Sequence, residues 1–285
     1  MREPIVEGQF YESDPDLLTK QIESCFKSGF GPGNLPSKER KNRIIGLICP
    51  HAGYMFSGPC QAFSYKEIAE SKIPDLYILL GLSHNGFGSC ISTEDWKTPF
   101  GIIKTDKKFG ELLSKTSKLP IDEIPHQNEH SIEVQLPFLQ YINKNEVFKI
   151  LPIIISPDIN IKDFAKQLEG TVLKTKKTVV IIASSDFTHY GYNYGFTPFS
   201  SNIKENMYKL DNQAIEQIKK LDSDGFLGYL EKTEATICGK YPIAALIEIV
   251  KLLGAKQTKL LKYYTSADVI GDYSNSVGYA SVLIE

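Results

Sequence analysis

Short apolar runs, rich in isoleucine, leucine and valine, recur along the chain without alternating with polar residues. Such runs suit strands that are buried on both faces, as in a sheet covered by helices. The four clearest span residues 43–49, 76–82, 148–156 and 178–184. Two further candidate strands, 260–266 and 277–284, follow later in the chain. The runs therefore predict a central sheet that is enclosed by helices.

Helical patterns of apolar residues lie between these runs. They cover residues 14–27, 106–113, 161–173, 203–220 and 242–253. Pro242 suits the first turn of its helix, where its missing N–H leaves no hydrogen bond unmade. Strands that alternate with helices are typical of an α/β fold. We predict one domain over residues 1–285, with a central, largely parallel or mixed sheet flanked by helices.

Composition bears on three questions: whether the protein binds nucleic acid, whether it associates with a membrane, and in which compartment it is expected. The chain carries 32 basic and 34 acidic residues, and this balance argues against a nucleic-acid partner. No apolar stretch approaches the roughly 20 residues of a membrane span, so no membrane association is expected. The five cysteines are odd in number and form no C-x-x-C pair, which favours a reducing compartment. With no signal peptide at the N-terminus, the expected location is the cytoplasm.

Three of the predicted strands lead into polar residues that include a histidine. These residues are His51, His84, and the pair Asp186 and His189. In open α/β sheets, ligands bind in the crevice beyond the carboxyl ends of the strands. One histidine in such a position is usually a hydrogen-bonded loop residue, whereas two in equivalent positions point to a ligand or metal site. The sequence thus predicts a polar site at one edge of the sheet.

Cys238 lies just before the helix that Pro242 opens. A thiol at a helix N-terminus has a lowered pKa because the helix dipole favours the thiolate, which is a good metal ligand and nucleophile. The alternative is a small buried apolar residue, the usual role of a free cysteine. Spacing alone leaves both open for Cys238, whereas Cys49 and Cys60 are expected to lie in the core.

The segment 125–138 is dense in polar groups and contains, from His126 to His130, the inverted zinc-protease pattern H-x-x-E-H. That pattern needs one continuous helix, yet the apolar spacing begins only after His130. We therefore expect the helix to start near Glu129, with His126 in the preceding loop and Glu133 on a solvated face. A protease is disfavoured, and dinucleotide, Walker A and serine-hydrolase signatures are absent from the sequence.

Seven motifs stand in the order in which they occur in the MEMO family, and the chain resembles that family over nearly its whole length. They are REPIVEGQFY (2–11), PHAGYMFSG (50–58), LGLSHNG (80–86), EHSIEVQLPFL (129–139), SSDFTHYG (184–191), ICGKYPI (237–243) and GDYSNSVGYAS (271–281). Two positions depart from the family pattern. Glu12 stands where many members have proline, and Leu82 replaces another residue in the third motif. Neither departure falls on a candidate ligand.

The resemblance implies a fold similar to that of class III extradiol dioxygenases, non-haem iron enzymes that open catechol rings. The implied metal ligands are His51, His84 and Cys238, with the cysteine in place of a carboxylate. The implied catalytic residues are His189, Asp186 and His130, and the implied pocket residues are Glu129, Tyr54 and Ser185. Archaeal and bacterial relatives are associated with radical-SAM and AMMECR-type proteins, which are the implied partners.

Two histidines and a thiolate suit iron, copper or zinc, and iron is expected first because the resembled dioxygenases use it. Asp186 is expected to orient a ligand histidine or a water, and His189 to act as an acid–base group near neutral pH. The first hypothesis is a metal-dependent, redox-active protein that acts on a small molecule. The alternatives are a non-enzymatic module that docks peptide or anionic ligands, and a metal-storage or metal-delivery protein. Ring-opening activity does not follow, since fold does not fix function.

Overall fold

A ten-stranded mixed sheet forms the centre of the computed structural model, which describes residues 1–40, 43–144 and 146–285. The strands are β1 (Gly46–Cys49), β2 (Leu76–Gly81), β3 (Cys90–Ile91), β4 (Trp96–Thr98), β5 (Gly101–Thr105), β6 (Lys149–Ile154), β7 (Val179–Ser184), β8 (His189–Gly191), β9 (Thr258–Thr265) and β10 (Asn275–Ile284). The helices are α1 (Pro15–Lys27), α2 (Gly58–Ala69), α3 (Lys107–Ser117), α4 (Ile124–Gln127), α5 (Leu136–Ile142), α6 (Ile161–Thr175), α7 (Ile203–Lys219), α8 (Ser223–Thr233), α9 (Lys240–Leu252) and α10 (Ser266–Ile270). Short 3-10 helices cover Glu133–Gln135 and Tyr192–Tyr194.

The four predicted apolar runs form the parallel centre of the sheet. Across the sheet the strand order is β4-β5-β6-β2-β7-β1-β10-β8, with β3 beside β6 and β9 beside β10. The strands from β5 to β1 run parallel, and β10 pairs antiparallel with β1. Every residue of β1 and β2 is buried, as expected for strands covered on both faces. Towards the edge, β5 alternates more exposed with buried residues.

Helices cover both faces of the sheet, and the sheet separates the two large clusters of the core. On one face α3, α6, α7, α8 and α9 pack around a cluster that includes Leu151 and Ile181. On the other face α1, α2 and α5 pack around Leu79 and Phe138. Burial of each such side chain contributes about 1.5–3 kcal/mol. The prediction of an α/β fold with a mixed central sheet flanked by helices is confirmed. None of the helices in the described ranges is long and apolar enough to cross a membrane.

Side chains encoded next to the helices fix where several of them begin. Asp14 accepts hydrogen bonds from two backbone N–H groups in the first turn of α1, each at 2.9 Å. Asn160 does the same for α6 through the N–H of Asp163, at 3.1 Å. Capping of these otherwise unpaired N–H groups contributes about 1 kcal/mol per helix. The five predicted helices are all present, and the second of them, α3, extends four residues beyond its expected end, to Ser117.

The helix expected to begin near Glu129 is the clearest error of the sequence analysis. The α-helix begins only at Leu136, after the 3-10 turn. His126, expected in a loop, lies in the short helix α4. Pro137 stands in the first turn of α5, where a proline fits best. Several polar side chains between α4 and α5 bind other parts of the molecule, which holds this segment out of a regular helix.

Candidate metal centre

The loops that follow β1, β2 and β7 meet at the carboxyl edge of the sheet. Because these strands are parallel neighbours, they bring His51, His84 and Asp186 to one place. The loops border a cavity of about 520 Å³, whose polar wall also contains His130 and His189. Five residues that the sequence analysis assigned to one site thus line one cavity.

Buried hydrogen bonds hold the ring of His51 in one tautomer. The amide of Gln135 donates to Pro50 O at 2.9 Å and to Ser184 Oγ at 2.8 Å, and the Ser184 hydroxyl donates to Ser131 O at 2.6 Å. Because that hydroxyl has no second proton, the 3.0 Å contact of His51 Nδ1 with Ser184 Oγ is an N–H donation. Burial, together with the neighbouring histidines, lowers the pKa of His51. The neutral ring therefore keeps a lone pair on Nε2.

Glu129 orients His84 in the same way. His84 Nδ1 lies 2.9 Å from Glu129 Oε1, and the backbone N–H of His84 donates to Oε2 at 2.7 Å. Burial opposes ionisation of the carboxyl, but the hydrogen bonds and charge of His84 lower the pKa of Glu129 to about 2. Burial also lowers the pKa of His84, whereas Glu129 raises it, and the net shift is upward. With Nδ1 bound to the carboxylate, Nε2 of His84 is free to bind a ligand.

His130 completes a compact group of three histidines. One ring nitrogen from each of His51, His84 and His130 lies within 4.8 Å of the other two. The ring of His130 stacks on that of His84 at 4.5 Å and meets His51 edge-on at 5.5 Å. Burial, followed by the charge of His84, lowers the pKa of His130 to about 4. This uncharged imidazole is chemically competent to bind a metal ion.

Cys238, in the loop before α9, approaches His51 but does not belong to the compact donor group, whose third member is His130. Its Sγ lies 3.4 Å from His51 Nε2 and 3.5 Å from Asp186 O. Glycine is needed at position 239, since a Cβ there would lie 2.4 Å from Ser185 Cβ. Burial, followed by the charge of Asp186, raises the pKa of Cys238. The expected lowering of its pKa is therefore wrong, because burial and the nearby Asp186 carboxylate disfavour the thiolate.

The two remaining catalytic candidates differ in exposure. Asp186 is buried, and its Oδ1 accepts the backbone N–H of His51 at 2.8 Å, so it anchors the loop after β1. Burial raises the pKa of Asp186. His189 is half-buried, and its Nδ1 lies 2.9 Å from Phe187 O and 3.1 Å from Thr236 O. Carbonyl oxygens only accept, so Nδ1 carries a proton, and Nε2 has no hydrogen-bond partner among the described residues.

Three predicted pocket residues lie behind the cavity wall. Glu129 acts through His84, as described above. Ser185 is buried and accepts the N–H of Gly239 at 3.0 Å, so it supports the loop that carries Cys238. Tyr54 is buried in the core, and its hydroxyl donates to Val134 O at 2.8 Å. The structure therefore does not bring the Tyr54 side chain to the cavity.

Two further polar residues of the segment 125–138, Glu133 and His126, are buried. Glu133, predicted to face solvent, is fully buried and forms an ion pair with Arg2. Its burial could not be read from helical spacing, because the partner lies 131 residues away. His126 is also buried, and its Nε2 lies 3.4 Å from Cys90 Sγ, so it does not join His130 in a protease-type site.

Comparison with known proteins agrees with the motifs. Residues 2–283 match the family described as Memo-like protein. The chain belongs to this family. A MEMO1 family protein of Methanopyrus kandleri is 40% identical over 289 residues, covering 99% of this chain and 98% of that protein. A MEMO1 family protein of Desulfurococcus amylolyticus is 42% identical over 290 residues, covering 99% of this chain and 98% of that protein. A MEMO1 family protein of Methanosarcina barkeri is 40% identical over 289 residues, covering 100% of both chains. The resemblance to the MEMO family is confirmed.

A solved structure supports the fold of this Memo-like protein. An uncharacterized protein of Escherichia coli K12 superposes with a TM-score of 0.55 at 10% identity. The match covers 85% of the Memo-like chain and 100% of the other chain. At this identity the likeness concerns the fold alone.

Sequence reasoning missed the residues that orient the histidines. Gln135, Ser131 and Ser184 are all buried, yet none was a candidate. For Ser131 and Gln135 the available signal lay in the fourth motif, EHSIEVQLPFL, where polar residues alternate with apolar ones from Ser131 to Gln135. In a segment without regular helix, this alternation separates side chains that serve the site from side chains that fill the core.

Proposed function

We propose that this protein binds one transition-metal ion at the carboxyl edge of the sheet, with His51 and His84 as ligands. The carrying observation is that each ring donates its Nδ1 proton to a buried oxygen and keeps a lone pair on Nε2. Carboxylate–histidine pairs such as Glu129–His84 are typical of metal sites, where they fix the tautomer and raise ligand basicity. The Ser184 hydroxyl occupies the corresponding position at His51.

Cys238 is the proposed third ligand. Tetrahedral ligands with metal–sulfur and metal–nitrogen distances of roughly 2.3 and 2.1 Å lie roughly 3.6 Å apart. The 3.4 Å separation of Cys238 Sγ from His51 Nε2 supports this assignment. His130 is the alternative third ligand, because its ring nitrogen lies within 4.8 Å of those of His51 and His84.

The donor set suits iron, copper(I) or zinc, and iron is proposed first because of the likeness to extradiol dioxygenases. A bound ion would supply Lewis acidity and, for iron or copper, redox capacity. The residues around it have separate tasks. Asp186 holds the backbone of the loop that carries His51, and His189, through its free Nε2, exchanges a proton with a bound molecule.

Metal analysis of protein purified without air tests the proposal. Wild type should carry close to one equivalent of iron, copper or zinc, and His51→Ala and His84→Ala should lose most of it. His126→Gln is the matched control, since His126 is buried but lies outside the histidine group. Undiminished metal in both alanine variants would contradict the proposal.

Cobalt substitution distinguishes the third ligand. A Co(II)–thiolate bond gives an intense near-ultraviolet charge-transfer band, which should be present in wild type and absent in Cys238→Ser. If wild type lacks this band and His130→Ala loses the metal, His130 is the third ligand instead.

A metal-free binding module is the second candidate function. Aromatic side chains of Phe10, Phe56, Tyr194 and Tyr279 line the cavity together with the histidines, which favours a planar or peptide ligand. Calorimetry with metal-stripped protein and an aromatic peptide panel tests this alternative. Binding that is unchanged by added metal and abolished by Tyr279→Ala would support it.

A further inference from the structure

The N-terminal strap, residues 2–11, forms one wall of the metal cavity. Gln9 and Phe10 line the cavity directly. The ring of Phe10 packs edge-on against His130, with ring centres 5.0 Å apart. The carbonyl of Phe10 accepts the backbone N–H of Tyr54 at 2.7 Å, three residues after His51. The strap therefore contacts both the loop that carries His51 and the ring of His130.

Glu133 anchors this strap from beneath. Its carboxylate accepts the backbone N–H groups of Ile5 and Val6, both at 3.0 Å, and the hydroxyl of Tyr11 at 2.7 Å. It also forms the ion pair with Arg2. Both charged side chains are almost completely buried, at 2% exposure for Arg2 and 0% for Glu133. One carboxylate thus joins four residues of the strap to the body of the protein.

Arg2 extends the connection to the metal centre. Its guanidinium donates to Glu129 O at 2.8 Å and to His126 O at 3.2 Å, and it lies over the ring of Trp96 at 4.6 Å. Glu129 is the residue that orients His84. The backbone that positions His84 and His130 is therefore held from one side by the strap.

We propose that Glu133 is a positioning residue that keeps the strap docked as a wall of the metal cavity. The inference rests on the proposed metal site for its functional consequence. When the strap undocks, Phe10 leaves His130 and this side of the half-exposed centre becomes more accessible to solvent. Exchange of the metal with small chelators is then limited by the strap in the native protein and becomes faster without its anchor.

Glutamine at position 133 is the sharpest probe because it keeps the shape and removes the charge. Glu133 accepts from four donors, and a glutamine would place an NH₂ group among N–H and O–H donors. Its remaining oxygen cannot replace both carboxylate oxygens. Phe10→Ala is the second probe, since it removes the wall and leaves the anchor intact. Asp106→Asn is the matched control, because Asp106 is a buried carboxylate that pairs with Lys177 near the amino end of β7.

Two measurements test the proposal on the full-length chain. Hydrogen exchange of residues 5–11 in the metal-free protein should accelerate about tenfold or more in Glu133→Gln and stay unchanged in Asp106→Asn. Extraction of Co(II) by excess EDTA should accelerate about tenfold in Glu133→Gln and in Phe10→Ala, and should match wild type in the control. If Glu133→Gln does not fold, Tyr11→Phe replaces it, because it removes a single hydrogen bond from the anchor.

The outcomes separate this proposal from the proposed function. Unchanged hydrogen exchange in the anchor variant, or a wild-type extraction rate in Phe10→Ala, overturns the role of the strap. If the wild type binds no metal, the proposed function fails, and with it the effect of the strap on metal exchange. Faster hydrogen exchange of residues 5–11 in Glu133→Gln would still show that Glu133 anchors the strap.

Discussion

At the scale of single residues, the site depends on side chains that never reach the cavity. The Ser184 hydroxyl accepts hydrogen bonds from His51 Nδ1 and the Gln135 amide and donates one to Ser131 O. A serine buried between three partners in this way sets the direction of an imidazole lone pair. Loss of such a partner weakens metal binding about 10- to 100-fold in known metal sites.

We therefore expect Ser184→Ala to bind Zn(II) or Co(II) about 10- to 100-fold more weakly than wild type, measured by competition with a chromophoric chelator. Ser281→Ala is the matched control, because Ser281 is buried and its hydroxyl lies 2.6 Å from that of Ser64. Both variants should lose about 1–3 kcal/mol of stability through an unpaired buried group. Equal metal affinity of Ser184→Ala and wild type would show that the tautomer of His51 is set elsewhere.

Individual residues of the site differ in how far they could be predicted from the sequence. His51, His84 and Asp186 were predictable because each follows a strand of recognisable composition, and parallel strands end at one edge. The burial of Glu133 was not predictable, because it depends on an ion pair with Arg2, which lies 131 residues earlier in the chain. Helical spacing describes neighbours within one element, and it carries no information on such a partner.

At the scale of elements, predictability followed length and composition. The buried strands β2, β6 and β7 each have six residues and gave clear apolar runs. The strands β3, β4 and β8 have only two or three residues, and no periodic pattern can arise over that length. Their existence is imposed by pairing with longer neighbours, such as β3 with β6.

The loop before α9 is the element whose geometry most constrains the thiol. A Cβ at position 239 would overlap Ser185 Cβ and the carbonyl of Ser184, at 2.4 and 2.6 Å. We expect Gly239→Ala to lower the free energy of unfolding by about 1–3 kcal/mol through overpacking. The loop must move outward, so the Co(II)–thiolate band of Cys238 should weaken in the same variant. Urea denaturation and Co(II) titration measure the two effects.

Gly228→Ala provides the opposite control for this substitution. Gly228 lies in the exposed part of α8, and a Cβ there meets nothing within 4 Å. Alanine should stabilise that helix by up to about 1 kcal/mol. A Gly239→Ala variant as stable as Gly228→Ala, with an unchanged thiolate band, would contradict the close packing of the loop.

At the scale of the whole molecule, buried neutral histidines make the fold sensitive to acid. Burial, followed by the charge of Arg2, lowers the pKa of His126 to about 3. Burial lowers those of His51 and His130 as well. In the unfolded chain each imidazole regains a pKa of about 6.5. Between pH 6.5 and 4 the unfolded chain therefore binds more protons than the folded one, and stability falls as the pH falls.

His126 allows this effect to be measured away from the proposed metal ligands. Each histidine that stays neutral in the folded state lowers the free energy of unfolding by about 1.4 kcal/mol per pH unit once the unfolded imidazole is protonated. His126→Gln removes one such group, so its stability should change less steeply with pH than that of wild type, by about that amount, between pH 5.5 and 4. Urea denaturation at half-unit steps gives both slopes. Parallel slopes would mean that His126 takes up its proton without unfolding, and its burial beside Cys90 and Arg2 would then not govern the acid limit of the fold.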